Sequence, residues 1–456
     1  MTTENRIINR RVFLDKTLKA TAAVSLAGFS TLNAENRLES SKKQRLALVG
    51  TGIRGIHTWA KDLLAQFPDK AEMVALCDIN IKRAEYARKF IGIKAPVFHS
   101  RDFDLMIKKT KPDTVIVTTT DAFHAKYAIR AMELGCNVIS EKPLVIESEQ
   151  AQALLDAETK TGKHITIGFN ERHENGTEEI KRVVMSGELG RIIFVNFQEN
   201  LDIHHGASYF RRWHRFKRYS GTLLLHKSVH HFDKMNWIID SEPEEVHAYG
   251  KLDYYGKNNS FRARNCRICP FQKQCKFYWD ITKDSHMMDL YVNNEDVDGY
   301  LRDGCVFDSD IDIYDSTGVS VKYKDGVVMN YSINNYMPYE GQLITINGDK
   351  GRLDVEIHIR QPWKVETPNQ FRLTRNFGET KTWSVSNDEG VHGGADDKLR
   401  AMIFDKSIPD PLNKMAGSRA GVLASLIGIA ARESIERGAA IKIDEMIKFP
   451  HRWHWE

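Results

Sequence analysis

Between residue 44 and about residue 170 the apolar positions fall in short unbroken runs, at 45–50, 72–77, 114–119, 137–140 and 164–168. Stretches of helical periodicity separate them, among them 81–91, 122–134 and 151–161. Strand-length runs alternating with helices predict a parallel sheet. From Asn170 onward the pattern changes. One helix is predicted at about 175–187, ending at Gly187-Glu188-Leu189-Gly190. The segments 191–201, 244–253, 304–315, 318–324, 327–335, 341–347 and 351–357 then alternate apolar with polar residues. That period of two predicts an antiparallel sheet packed on one face and freer on the other. Lys324-Asp325-Gly326 and Asn347-Gly348-Asp349 supply turns between strands. A late helix, about 416–437, carries an apolar stripe through Val422, Leu423, Leu426 and Ile429, and the irregular, polar stretch 255–303 reads as a cysteine-bearing insertion.

The first run leads directly into Val49-Gly50-Thr51-Gly52-Ile53-Arg54-Gly55. This is G-x-G-x-x-G between a strand and a helix. The first glycine permits a tight turn, the second lets backbone approach a pyrophosphate, and the third lets helix and strand pack closely. The helix N-terminus presents free N–H groups to the anion. The second run ends in Asp78, 23 residues after Gly55. A carboxylate there accepts from a ribose hydroxyl and repels a 2′-phosphate, which favours NAD over NADP. A further signature, Ser140-Glu141-Lys142-Pro143, closes the run 137–140. It places an ammonium group at the edge of the sheet where open α/β folds bind ligands, with Pro143 restricting the backbone.

Bulk composition narrows the partners. With 65 basic and 61 acidic residues among 456, the net charge is +4, which gives no electrostatic reason to expect nucleic acid. No apolar run approaches the roughly 20 residues that span a bilayer. The N-terminus differs from the rest: Asn9-Arg10-Arg11-Val12-Phe13-Leu14 and a small-residue stretch to about Ala34 resemble a twin-arginine export signal. Residues 1–40 are therefore expected to be a leader to the periplasm or beyond; without a working leader the protein stays cytoplasmic. An exported nicotinamide enzyme finds little free NAD, so it has reason to keep its cofactor bound and restore it within each cycle.

Taken in order, the fingerprint at 49–55, Asp78, Thr118-Thr119-Thr120 with His124, Glu141-Lys142-Pro143, Gly168-Phe169-Asn170-Glu171-Arg172 and the stretch from Gly221 to Asp233 resemble the glucose–fructose oxidoreductase / inositol dehydrogenase (Gfo/Idh/MocA) family. The resemblance covers nearly everything after residue 43. It implies an α/β Rossmann NAD-binding domain over 41–169. An α+β domain over 170–456 follows, with an open-faced, predominantly antiparallel sheet and flanking helices. It further implies a homo-oligomer, a dimer or tetramer, acting on sugars, cyclitols or their derivatives. The cofactor-binding set it implies is Gly50, Gly52, Ile53, Arg54, Gly55, Asp78, Thr119, His124 and Glu141.

Read as one helix, Gly221 to Asp233 puts His226, His230 and Asp233 on one face. In the family this helix usually carries an Asp and, four residues later, a His; here His226 stands at the first position and His230 at the second. His230 is the candidate to exchange the proton of the reacting hydroxyl, and Lys142 to hydrogen-bond the same oxygen. With an imidazole at 226, proton relay departs from the family pattern, or Lys227 joins the site; the two histidines sharing a metal is a further reading. Arg212 and Trp213, within Tyr209-Phe210-Arg211-Arg212-Trp213-His214, suit a sugar pocket of rings and guanidinium forks. Arg172, Lys227 and Asp233 join them as substrate candidates, with His173, His204 and His205 beyond. Cys266-x-x-Cys269, Cys275 and Cys305 have spacing suited to a structural zinc; disulfides and free thiols are the other open states. Cys77 and Cys136 are core candidates. The leading expectation is an NAD-dependent oxidoreductase acting on a sugar hydroxyl. A redox-neutral NAD-dependent glycosidase using transient oxidation and elimination is the alternative, and a non-catalytic sugar-binding protein the third.

Overall fold

The computed structural model describes residues 42–449; the expected leader, 1–40, lies outside the described residues. Six strands form the first sheet: β1 (Gln44–Val49), β2 (Ala71–Asp78), β3 (Val97–His99), β4 (Thr114–Val117), β5 (Asn137–Ser140) and β6 (Ile165–Ile167). All pair in parallel, in the order β3-β2-β1-β4-β5-β6. The central strands are covered on both faces, with Leu46, Ala47, Leu48 and Val115, Ile116, Val117 all fully buried. That is why they read as unbroken apolar runs. β3 had no such signal, because its three residues are only half-buried. The strand order reverses between β1 and β4, and the crevice beyond their C-terminal ends is where such folds bind ligands.

The second sheet has nine strands: β7 (Ile192–Asp202), β8 (Pro243–Lys251), β9 (Ser316–Tyr323), β10 (Val328–Met337), β11 (Glu340–Gly348), β12 (Gly351–Arg360), β13 (Asn369–Arg375), β14 (Thr380–Val385) and β15 (Ile441–Lys442). Their order is 14-13-12-11-7-10-9-8-15, antiparallel throughout except where β7 lies beside β10. Along β9, β12 and β13 buried residues alternate with more exposed ones, so one face is packed and one is open. The edge strand β14, largely exposed, gave no alternation to read.

The segment 304–315 is a correction: it alternates like a strand but is a loop. It buries Val306, Phe307, Ile311 and Ile313. Part of its anchorage comes from a side chain: the Asp315 carboxylate accepts from the N–H groups of Asp253, Tyr254 and Tyr255. A side-chain acceptor of this kind stands in for a neighbouring strand.

The long helix Ser418–Arg437 ties the two sheets together. A Cβ on Gly421 would collide with Leu144 and Ile167 of the first domain, and one on Gly428 would lie 2.7 Å from the Leu224 carbonyl oxygen. The two missing side chains thus let the helix touch β6 on one side and the site-bearing segment on the other. That segment departs from the single helix expected between 221 and 233. It is two helices, Leu223–His226 and Val229–Ile239. The break falls at Lys227-Ser228, where the Ser228 N–H donates back to the Leu223 carbonyl at 2.9 Å.

Candidate active site

A cavity of about 1760 Å³ opens between the C-terminal edge of the first sheet and the second domain. Its nucleotide half is framed by the fingerprint. Gly50 has φ +92°, and a Cβ there would strike the Thr118 carbonyl group at 2.6 Å; one on Gly55 would lie 2.4 Å from the Gly50 oxygen. Both glycines are thus fixed by turn geometry and packing. A Cβ on Gly52 would meet nothing closer than the Tyr291 hydroxyl at 3.5 Å. The backbone there is bare toward the cleft, as close approach of a pyrophosphate requires, and Ile53 and Arg54 begin the helix beside it. The residues present therefore fit a dinucleotide.

Asp78 lies at the end of β2 on the cavity wall. Its carboxylate accepts from Thr51 N–H (2.6 Å), Thr51 Oγ1 (2.9 Å) and Asn80 N–H (2.8 Å), with the Arg83 guanidinium at 3.3 Å. Thr119 also lines the cavity. His124 places its two ring nitrogens 2.7 Å from the Pro143 oxygen and 3.0 Å from the Thr119 oxygen, so it braces the two loops against each other. Glu141 accepts from Arg54 Nε (2.6 Å) and Trp59 Nε1 (2.7 Å). Burial opposes its ionisation, but the charges of Arg54 and Lys142 hold its carboxyl below the usual value. The other end of Arg54 reaches Asp396 at 2.8 Å, so its guanidinium bridges the two domains while only its backbone is free for a ligand.

At the other end, Lys142, His226 and His230 line the same cavity. Lys142 follows β5 and forms a cis peptide with Pro143. Its Nζ donates to the His226 carbonyl oxygen at 2.6 Å. Burial lowers its pKa to about 8, against the pull of Asp121 and Glu141. His226 Nδ1 lies 2.7 Å from Asp121 Oδ2, leaving Nε2 as its other nitrogen. Burial, then the charge of Lys142, keeps the His226 imidazole well below its ordinary pKa. His230 is shifted the same way by burial, with Glu171 pulling against it, and its Nδ1 is buried without a partner. Burial thus holds both rings in the neutral form.

Around them is an aromatic wall: Trp213 stacks on His214 with centroids 3.7 Å apart, and His214 meets His226 edge-on at 4.0 Å. Arg212 lies over the Tyr209 ring at 5.1 Å. Lys227 lines the cavity but is held by Glu171 (3.1 Å), with Glu199 behind it at 3.8 Å.

Several expected substrate residues lie elsewhere. Arg172 and Asp233 are absent from the cavity wall. They form a buried two-pronged pair, Nε to Oδ2 at 2.7 Å and Nη2 to Oδ1 at 2.6 Å. Asp233 shares the helix Val229–Ile239 with His230 but is taken up by Arg172. His173 is fully buried off the cavity, His204 is exposed, and only His205 reaches the wall. The zinc expectation is also corrected: among the described residues no three His, Cys, Asp or Glu side chains converge as a metal requires. Cys266, Cys269, Cys275 and Cys305 are free thiols. Cys266 Sγ accepts from Arg211 at 3.1 Å, and Cys305 Sγ from the Phe307 N–H at 3.4 Å. Cys77 and Cys136 are buried in the first domain, as expected.

Sequence reasoning missed Asp121, although it directly follows the threonine run at the end of β4 and so sits at the ligand-binding edge. It also missed Glu171 and Glu199 beneath the site, and Tyr291 and Arg302, which the insertion brings to the cavity wall.

Comparison with known proteins agrees with this geometry. The Gfo/Idh/MocA oxidoreductase family is matched twice, by its NAD-binding Rossmann fold over residues 44–169 and by its C-terminal alpha/beta domain over residues 181–443. The chain belongs to this family. YteT of Bacillus subtilis (strain 168), named as an oxidoreductase, is 33% identical over 431 residues, covering 89% of this chain and 99% of that protein. The inositol 2-dehydrogenase of Salmonella typhimurium (strain LT2) is 29% identical over 206 residues, 45% of this chain and 57% of the relative. The crystal structure of the WlbA dehydrogenase from Bordetella pertussis, in complex with NADH and UDP-GlcNAcA, has a TM-score of 0.59 over 88% of this chain and 100% of that one. At 18% identity, that likeness shows the shared fold.

Proposed function

We propose that the protein is an NAD-dependent oxidoreductase that oxidises a hydroxyl-bearing carbon of a sugar or sugar derivative. The observation that carries this reading is the shared cavity: the bare fingerprint backbone at one end, and Lys142, His226 and His230 at the other. A bound nicotinamide supplies the hydride acceptor. The Lys142 ammonium, already placed as a donor, hydrogen-bonds the substrate oxygen and steadies developing alkoxide charge. His230 takes the hydroxyl proton. Trp213 offers a face for the apolar side of a sugar ring, and Arg212, lying over the Tyr209 ring, a donor fork for its hydroxyls. The Asp78 carboxylate favours NAD over NADP.

Asp121 is read as a positioning group for His226, fixing which nitrogen faces the substrate. Asp121→Asn is expected to lower kcat by about 10- to 100-fold with KM little changed; equal rates in variant and wild type would remove the pair from the reaction. The pH profile gives a second check. kcat/KM reports the free enzyme's groups, so it should fall above about pH 8 as Lys142 loses its proton. It should show no acid limb near the ordinary histidine pKa, since both histidines are shifted well below it. A rate that rises through pH 8 would instead make the neutral amine of Lys142 the proton acceptor.

The test of the function is a panel of sugars, cyclitols and glycosides offered with NAD or NADP. Accumulating NADH with one of them supports the dehydrogenase. Release of an aglycone without net NADH would select the redox-neutral glycosidase. Carbohydrate binding with neither product would mean a binding protein. The leader at 1–40 is read as directing export, and the open face of the nine-stranded sheet as the contact of a dimer or tetramer.

A further inference from the structure

The insertion between β8 and β9 does not stay with its own sheet. Its stretch 285–303 lies against the first domain at the nucleotide half of the cavity. His286 is bracketed by His57 (Nε2 to Nε2, 3.0 Å) and Tyr86 (hydroxyl to Nδ1, 2.7 Å). Asn80 Nδ2 donates to the Asn294 oxygen at 2.8 Å, and Arg83 pairs with Asp298 at 2.7 Å. Leu290 and Tyr291 are buried in the apolar cluster that also holds Leu48 and Ile56 of the fingerprint unit.

Two side chains point from this stretch into the cleft. The Tyr291 hydroxyl accepts from the Ile53 N–H at 3.0 Å, at the fingerprint itself. The Arg302 guanidinium lies 4.8 Å over the Tyr291 ring, and both residues line the cavity. Among the described residues Arg302 forms no ion pair; its Nε is buried without a partner, and its neighbours are the Tyr291 and Tyr300 phenols. Arg212 likewise pairs with no carboxylate; burial and then the charge of Arg302 lower its pKa to about 10. The two half-buried guanidiniums repel each other with no carboxylate between them, and a bound anion relieves that repulsion.

We propose that residues 285–303 are a strap across the dinucleotide cleft, with Arg302 and Tyr291 holding the cofactor's pyrophosphate from the side opposite the fingerprint helix and slowing its release. This rests on the NAD reading above. The Ile53 N–H that Tyr291 now engages is one of the donors a pyrophosphate would use. On binding, the phenol gives up that N–H and turns its own O–H toward a phosphate oxygen. Arg302 has no carboxylate to leave, only the Tyr291 and Tyr300 phenols beside it. Such retention would let the protein keep its nucleotide through successive cycles.

The experiment loads the full chain with NADH and follows loss of the bound fluorescence after a chase with excess NAD. Arg302→Ala should release NADH about 10- to 100-fold faster, and Tyr291→Phe several-fold faster, with the thermal melt of the nucleotide-free protein unchanged. Arg302→Gln serves where the alanine variant fails to fold. Release within twofold of wild type in both variants would overturn the strap. So would an Arg302 variant that retains NADH normally but loses affinity for an acidic sugar relative to a neutral one, because the guanidinium would then serve the substrate. Wild-type protein that takes up no NADH overturns the nucleotide reading, and the strap with it.

Discussion

Replacing Lys142 with alanine is expected to reduce turnover by about 10³-fold while leaving nucleotide binding intact. The ammonium is the cation at the catalytic end best placed to serve a reacting oxygen. Lys227, also on the wall, is tied to Glu171. Removing one donor aimed at developing oxyanion charge typically costs about 10²- to 10³-fold in kcat, and loss of the tuned group near pH 8 adds to that. The fingerprint glycines, Asp78 and Glu141 are untouched, so the dinucleotide affinity should stay within a few-fold. Turnover by Lys142→Ala within tenfold of wild type would remove Lys142 from the chemistry. Loss of nucleotide binding would mean that Lys142 serves the cofactor cleft instead.

The second large effect concerns stability. Arg172 and Asp233 are 5% and 1% exposed and bond each other twice. Asp233→Ala leaves a guanidinium buried without its counter-charge, against the Trp237 ring 5.5 Å away. Breaking one half of such a pair costs about 3–5 kcal/mol, a large share of the ~5–15 kcal/mol that holds most domains folded. The double replacement Arg172→Met with Asp233→Leu should recover most of that loss, because it removes both charges from the interior together. Urea unfolding followed by tryptophan fluorescence measures both. A single variant within 1 kcal/mol of wild type, on the scale of a surface pair, would show that water reaches the pair.

How much of this was legible beforehand follows from the range of each interaction. Gly50 and Gly55 were readable because much of their requirement is local: Gly50 takes φ +92° in its own turn, and a Cβ on Gly55 would lie 2.4 Å from the Gly50 oxygen. Lys142 was readable because a strand end followed by proline fixes its place without help from the rest of the chain. The role of Asp121 was not, since its partner His226 lies 105 residues further on. Tyr291 lies 238 residues from Ile53 and sits in an irregular segment with no periodicity to place it. Arg172 and Asp233 were misassigned because a charge in a sequence does not show whether another charge neutralises it. The cysteines had metal-like spacing, yet Cys266 and Cys305 take backbone and arginine donors instead. The alternation at 304–315 misled for a related reason. Its apolar residues do face a core, but a side-chain carboxylate stands where a strand would offer its backbone.

The central claim is that a hydride passes between a substrate carbon and a nicotinamide held in this one cavity. A single-turnover experiment tests it most directly: protein carrying stoichiometric NAD is mixed rapidly with the best sugar or glycoside of the panel, and reduced nicotinamide is followed by absorbance. The account predicts a rise in reduced nicotinamide that is slowed by deuterium at the oxidised carbon and slowed about 10³-fold in Lys142→Ala. A lasting rise marks the dehydrogenase, and a transient one marks redox-neutral chemistry at the same site. No reduction with any carbohydrate that demonstrably binds the NAD-loaded protein would contradict it.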